Sequence, residues 1–326
     1  MCHAANATIT NERYSQAFVE TRFKNSESFG MADELIIFSE MNTKEIAALI
    51  KLLDDQDQEV AQHVEEKLLS YGQEVIEYLE NAWEQSFDAL LQERIENLVH
   101  KIQFANVKTE LQLWHMSGGF DLLQGILIIN RYQYPDLDEQ KIINRIENIK
   151  RDVWLQMIYD MSALEKVKLM NHVFYNLHGF SGNTSNHQDP QNSYISQVIE
   201  SKKGNQISLA IIYSIIAQKL DIPVYGVNLP QHFILAYVDE SQEYDPKGGI
   251  LFYINAFNKG FIFYKRDVDA FLRQLQLKPE PQFYQTCSNT DILIRVLRNL
   301  ISSYQNLGQT EKVSELNELL DVLLIP

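Results

Sequence analysis

The chain has 326 residues, of which 45% are hydrophobic, enough to bury a sizeable core in two or three domains. Its 44 acidic and 28 basic residues give a net charge of −16, which argues against nucleic acid or a membrane surface as the main partner, because both are polyanions. No run of about 18 apolar residues occurs, and the N-terminus lacks the pattern of a secretory signal. Two distant cysteines predict neither a disulfide framework nor a zinc motif, and they favour a reducing, cytoplasmic location.

The first third of the chain is polar and then helical. Residues 1–32 are weakly patterned and are predicted to form a flexible tail, with Met31 as an alternative start just before the periodic segment. Residues 33–106 show apolar residues at intervals of three and four, broken by acidic residues at 54–57 and by Gly72. This alternation resembles a pair of HEAT-like helical repeats, too few for an extended solenoid.

Residues 107–285 are predicted to form one mixed domain. Its first part is mainly helical, with an apolar helix at Phe120–Asn130 and helical spacing through Ile142–Met161. From Val224 onward, short β-branched and aromatic runs separated by Gly and Asn turns predict an antiparallel meander of four strands.

The last segment, residues 286–326, is predicted to be a helical hairpin. Its two helices, Asp291–Leu307 and Glu311–Leu324, are joined at Gly308-Gln309. The arrangement resembles a single TPR-like hairpin, which is expected to pack on its parent domain.

Three polar residues are spaced along this domain in an order suited to acyl transfer, which needs a nucleophile, a base and a group that orients the base. Ser208 lies in the first turn of an apolar helix, where the free N–H groups favour a developing anion, and Asn205 is the predicted N-cap. His232 begins a strand, and Asn255 ends the next strand. Serine, histidine and asparagine are common, so the spacing alone is weak evidence.

Five sequence pieces, in order, make the assignment more specific. The pieces are Phe180–Asn183 (FSGN), Asp189–Tyr194 (DPQNSY), Gly204–Leu209 (GNQISL), Pro230–Phe233 (PQHF) and Tyr253–Phe257 (YINAF). Together they resemble the SirB-type transglutaminase-like family over roughly residues 110–285. The resemblance implies an α+β fold: a papain- or transglutaminase-like core of helices packed on an antiparallel sheet, flanked by all-α regions.

The resemblance also implies a departed active site. Transglutaminase-like enzymes begin the helix with Cys and end the later strand with Asp, whereas this chain has Ser208 and Asn255 and keeps only His232. A thiol with a pKa near 8.5 is easily ionised beside a histidine, whereas a serine hydroxyl depends wholly on its base. Replacing the orienting Asp by Asn costs serine proteases about 10⁴ in rate.

Four polar residues before the helix are candidates for lining a cleft: Asn183, Asp189, Asn192 and Asn205. The alternative is that they make only turn and capping hydrogen bonds. His172, His178 and His187 match no familiar ligand spacing, so no metal or cofactor is predicted. Cys287, close to a helix start, and Cys2 are minor candidates for a reactive thiol.

Three functional hypotheses follow. The favoured one is a non-catalytic or weakly active transglutaminase-like module that binds a protein or peptide partner through its helical flanks. The second is a working hydrolase or acyltransferase in which Ser208 is close to His232 as its base. The third is a purely structural interaction protein whose N-terminal helices bind the partner. The sequence leaves the oligomeric state open.

Overall fold

The computed structural model describes residues 43–55, 57–186, 188–239 and 249–325, so the predicted N-terminal tail lies outside the described residues. The chain divides into two compact units, Met1–Ile102 and Gln103–Pro326. The division falls inside one continuous helix, close to the predicted boundary between residues 106 and 107.

The described part of the first unit is entirely helical. Its elements are α1 (43–52), α2 (Gln58–Ser70), a 3-10 turn (Gly72–Val75), α3 (Ile76–Gln85) and the start of α4 (Ala89–Met116). Asp57 caps α2 by accepting a hydrogen bond from the Glu59 N–H, and Gly72 follows its end with a φ of +62°. A small core that includes Leu68, Val75 and Leu79 holds these helices together.

The second unit surrounds a four-stranded sheet with helices. The helices are α5 (Leu122–Gln133), α6 (Glu139–Trp154), α7 (Ala163–Asn171) continued by a π-helical turn (His172–Leu177), α8 (Ile195–Ser201), α9 (Gln206–Gln218), α10 (Lys265–Gln274), α11 (Asn289–Asn306) and α12 (Thr310–Leu324). Within the described residues, no helix is long and apolar enough to cross a membrane.

The predicted antiparallel meander is confirmed. Strands β3 (Val224–Leu229), β4 (His232–Val238), β5 (Ile250–Asn255) and β6 (Phe261–Phe263) pair in sequence order. A separate parallel bridge joins β1 (Ser181–Gly182) to β2 (Lys203–Gly204), directly before α9.

Alternating side chains bury both faces of the sheet. One face joins the main core with α9 and α11, and the other forms a smaller core with α10. The predicted α+β class is therefore confirmed. The α11–α12 hairpin contributes buried residues to the main core.

Two helices end elsewhere than predicted. Helix α4 crosses the predicted boundary between residues 106 and 107 and ends at Met116, because Leu111 and Trp114 are also buried on its apolar face. Helix α6 stops at Trp154 instead of Met161, where Leu155 caps it and the exposed segment after it is not helical.

Helix α8 lies between the predicted cleft residues Asn192 and Asn205, in a segment for which no helix is predicted from the sequence. Its apolar residues Ile195, Val198 and Ile199 are buried, and its Ser196 N–H donates to the side chain of the fully buried Asn130. Tertiary contacts therefore fix this short helix, which its local sequence does not indicate.

Candidate functional site

Helix α9 begins with a capping box. The Asn205 side chain accepts a hydrogen bond from the Ser208 N–H at 2.9 Å, and the Ser208 hydroxyl accepts one from the Asn205 N–H at 3.0 Å. The same hydroxyl approaches the Asn205 carbonyl at 3.3 Å. Ser208 is fully buried, and a methyl group at Gly204 would lie only 2.6 Å from its hydroxyl oxygen. The hydroxyl therefore serves the helix start beneath the Gly204 backbone.

The side chain of α9 that meets His232 belongs to Gln206, the first residue of the helix. Its amide nitrogen lies 2.8 Å from His232 Nδ1, and its amide oxygen accepts a hydrogen bond from the Phe233 N–H at 3.3 Å. The hydroxyl of Ser208 makes no hydrogen bond to His232, so the predicted nucleophile–base contact is not formed. At the start of α9, Gln206 meets His232 and Ser208 does not, because a capping residue faces back toward its cap.

The Gln206 contacts determine which ring nitrogen of a neutral His232 carries the proton. Since the Gln206 oxygen is held by the Phe233 N–H, the amide NH₂ must point at the imidazole. Nδ1 is then an acceptor without a proton, and Nε2 carries the N–H. The lone pair that a general base would use on this side is therefore already engaged by an amide.

Asn255 lies at the end of β5 and shapes the turn that follows. Its side chain accepts a hydrogen bond from the Asn258 N–H at 3.1 Å, and its carbonyl accepts one from the Gly260 N–H at 2.9 Å. Asn171 holds the same turn by donating to the Gly260 carbonyl at 2.9 Å. No hydrogen bond joins Asn255 to His232, although both line one cavity.

That cavity has a volume of about 520 Å³ and lies beside α10. Its lining is mainly apolar and aromatic, including Leu229, Ile234 and Phe271, and the Phe271 ring centroid lies 5.0 Å from that of His232. Ser208 and Gln206 do not line it. The structure thus brings His232 and Asn255 together and leaves Ser208 apart.

The four predicted cleft residues do not line this cavity. Asn183 donates to the Asn192 side chain at 2.9 Å, and Asn192 donates to the Asn186 carbonyl at 2.6 Å. Asp189 accepts hydrogen bonds from the Gln191 N–H and from the Asn186 side chain. These are the turn contacts of the alternative interpretation, and Asn205 adds the helix cap.

The minor candidates Cys287 and His178 are also held in structural contacts, whereas Cys2 lies outside the described residues. The Cys287 N–H donates to the Gly226 carbonyl, and burial together with the nearby Asp291 carboxylate raises the pKa of the Cys287 thiol to about 12. A thiol with that pKa is not reactive at neutral pH. His178 Nε2 is hydrogen-bonded to the Asp152 carboxylate at 2.9 Å. His187 lies outside the described residues.

Comparison with known proteins places this site in a family. A model of the transglutaminase-like superfamily matches residues 140–298. A UPF0162 protein of Xylella fastidiosa is 30% identical over 225 residues, which are 63% of this chain and 74% of that protein. The chain belongs to the UPF0162 family.

Other relatives differ in the share of their own length that this UPF0162 chain matches. A UPF0162 protein of Vibrio cholerae is 25% identical over 186 residues, 56% of this chain and 66% of the relative. F-box only protein 21 of Homo sapiens is 28% identical over 155 residues, which are 48% of this chain and 24% of the human protein. No solved structure matches the chain significantly.

Sequence reasoning missed two residues of the site in this UPF0162 chain. One is Gln206, and the other is Arg295 of α11, which donates to the Asn228 side chain at 2.9 Å and makes no ion pair with a described residue. The motif Asn-x-x-Ser was a signal for the first, because it is a capping-box pattern that assigns Ser208 to Asn205. No local signal identifies Arg295, which α11 brings to the sheet from far along the chain.

The pKa of His232 lies below its ordinary value, mainly because burial disfavours the charged imidazolium and secondly because of the Arg295 charge. We therefore expect Arg295→Gln to raise the pKa of His232. An NMR titration of the imidazole measures it, and Lys278→Gln, which removes an exposed cation, is expected to leave it unchanged.

The sign of the stability effect follows from the same shift. Unfolded His232 binds a proton more readily than folded His232, so the free energy of unfolding falls as the pH drops below about 6.5. Arg295→Gln is expected to weaken this acid destabilisation, as followed by urea unfolding at several pH values. An unchanged imidazole titration in Arg295→Gln would show that the guanidinium does not act on His232.

Proposed function

We propose that this protein is a non-catalytic or weakly active transglutaminase-like module of the SirB type that binds a protein or peptide partner. The observation that supports this most directly is the Gln206–His232 hydrogen bond of 2.8 Å. An amide is not a nucleophile, and here it engages the imidazole lone pair at the start of the helix.

The alternative, a hydrolase that uses Ser208 with His232 as its base, would require a rearrangement of the helix start. The Ser208 hydroxyl would have to leave the Asn205 backbone, pass the Gly204 backbone and displace the Gln206 amide from Nδ1. The first change breaks the α9 cap, which alone costs about 1 kcal/mol, and the last breaks the hydrogen bond between Gln206 and His232.

Exposed apolar residues in the first unit support the binding part of the proposal. Phe87 is fully exposed in the turn between α3 and α4, and Leu90 and Trp83 beside it are 52% and 38% exposed. Clustered aromatic and aliphatic side chains on a surface are typical of protein interfaces. We assign partner binding to these HEAT-like helices and to the TPR-like hairpin. The match covers one quarter of F-box only protein 21, which fits a domain that is joined to other domains in that protein.

Intact-mass analysis after treatment with a serine-reactive fluorophosphonate tests the catalytic part. We expect no adduct on the folded wild-type protein or on Ser208→Ala, while trypsin treated in parallel is fully labelled. The reason is that the Ser208 hydroxyl is buried and bonded to the backbone instead of to His232. An adduct present in the wild type and absent in Ser208→Ala would favour the hydrolase instead.

A further inference from the structure

A second cavity, of about 540 Å³, lies between the α5–α6 turn, the start of α6 and helix α8. It shares no lining residue with the cavity that holds His232. One wall is apolar and aromatic and is formed by Tyr134, Pro135, Leu137, Ile142 and Ile199. A cavity of this size and composition suits a small molecule.

Two cations of this cavity have no acidic partner. The side chain of Arg145, exposed on α6, makes no ion pair or hydrogen bond with a described residue. Lys202 likewise makes no ion pair with the residues that the structure describes, and its ammonium group lies 4.5 Å from the centre of the Phe180 ring. Burial, and then the Arg145 charge, lower the pKa of Lys202. The Arg145 guanidinium is therefore close enough to act on the Lys202 ammonium group.

The acidic residues of the lining are mostly engaged elsewhere. Glu200 lies 3.6 Å from Lys141, and Asp138 caps α6 by accepting a hydrogen bond from the Lys141 N–H. Asp136, which is exposed, is the third acidic residue of the lining. The lining thus holds three acidic and three basic residues, and Arg145 and Lys202 are its two cations without an ion-pair partner among the described residues.

The backbone holds Lys202 in an unusual position. Its φ of +62° is in the left-handed region, where the end of a helix usually has glycine. The Lys202 N–H donates to the Val198 carbonyl, and its carbonyl accepts a hydrogen bond from the Ser181 N–H. The backbone of this lysine is therefore held in place, and its ammonium group lies over the Phe180 ring.

A polar group in the same lining also lacks a partner. The Ser196 hydroxyl oxygen is buried and makes no hydrogen bond with the described residues, whereas the Ser196 N–H is bonded to Asn130. Buried hydroxyl groups are nearly always hydrogen-bonded in folded proteins. Ser196 is in the first turn of α8, at the opposite end of this helix from Lys202, and it adds an unpaired polar group to the lining independently of the two cations.

We propose that this cavity is a binding site for a small organic anion. The apolar or aromatic body of the ligand packs on the wall around Tyr134 and Ile142, and its acid group binds the Arg145 guanidinium and the Lys202 ammonium. The site is separate from the His232 cavity and does not depend on the function proposed above. It gives this protein a small-molecule ligand, in addition to a protein partner.

A pair of matched fluorescent probes tests the proposal on the full-length protein. 8-Anilinonaphthalene-1-sulfonate carries the anionic group, and N-phenyl-1-naphthylamine has the same aromatic body without it. We expect saturable binding of the sulfonate, weaker binding of the neutral amine, and a loss of affinity as sodium chloride is raised.

Charge-matched variants locate the binding. Arg145→Gln and Lys202→Gln are each expected to weaken binding of the sulfonate about fivefold. Arg151→Gln on the same helix as Arg145 and Lys203→Gln beside Lys202 are expected to leave the affinity for the sulfonate unchanged. Arg151 and Lys203 do not line the cavity. Lys202→Gly, which suits the left-handed backbone, confirms that a loss is not a folding defect. Absence of saturable sulfonate binding, equal affinity for the neutral amine, or equal effects in the control variants would overturn the proposal.

Discussion

Gln206→Cys is expected to create a thiol whose pKa falls from about 8.5 to below about 7.5. The thiol would lie in the first turn of α9, where the helix dipole favours an anion, and would replace the amide that engages Nδ1 of His232. The pH dependence of alkylation by iodoacetamide, in a Cys2→Ser background, measures this pKa. Alkylation of the introduced thiol is easily distinguished from that of the remaining Cys287, because burial raises the pKa of Cys287 to about 12.

Two matched variants test whether the lowered thiol pKa depends on the position of residue 206 and on its contact with His232. Ser208→Cys, only two residues away, is expected to react slowly because its thiol lies buried beneath Gly204. Combining Gln206→Cys with His232→Gln is expected to return the thiol pKa toward its ordinary value. Fast alkylation of Ser208→Cys with an inert Gln206→Cys would place the nucleophile position at Ser208 after all.

Gly260→Ala is expected to lower the free energy of unfolding by about 3 kcal/mol, the sum of a left-handed backbone penalty and a steric one. Gly260 has a φ of +69°, and an added methyl carbon would lie 1.9 Å from the Asn171 side-chain oxygen. That oxygen also accepts a hydrogen bond from the Tyr213 hydroxyl. Urea unfolding of the second unit measures the change.

Gly308→Ala is the matched control for this substitution. Gly308 has a similar φ of +71° but no atom within 4 Å of the added carbon, so only the backbone penalty of about 1–2 kcal/mol is expected. Adding Asn171→Ala to Gly260→Ala is expected to recover part of the loss by removing the clash. Equal destabilisation by the two glycine substitutions would mean that Asn171 moves aside freely.

The sheet was predictable because its signals are local. Each strand of the meander is a β-branched or aromatic run, and each turn that the structure describes contains glycine, proline or asparagine. The turn predicted at 245–249 lies largely outside the described residues. Helix α8 was not predictable, because its start is satisfied by Asn130, more than sixty residues earlier in the chain.

The site was only partly predictable for a similar reason. The order of helix, strand histidine and strand asparagine singled out His232 and Asn255, and both line one cavity. Which residue of the first helical turn faces His232 depends on the rotation of α9 about its axis. That rotation is set by the Asn205–Ser208 capping box and by the amide contact of Gln206, and a spacing argument does not resolve it.

The meander also bears on how the second unit folds during synthesis. Each strand pairs with its neighbour along the chain, so the sheet closes short loops at a small entropic cost and is expected to form early. Helices α11 and α12 supply buried residues such as Leu293, Leu297 and Leu316 to the main core. The nascent chain therefore exposes this apolar surface until residues 289–324 have emerged, and over that interval it is expected to depend on chaperones.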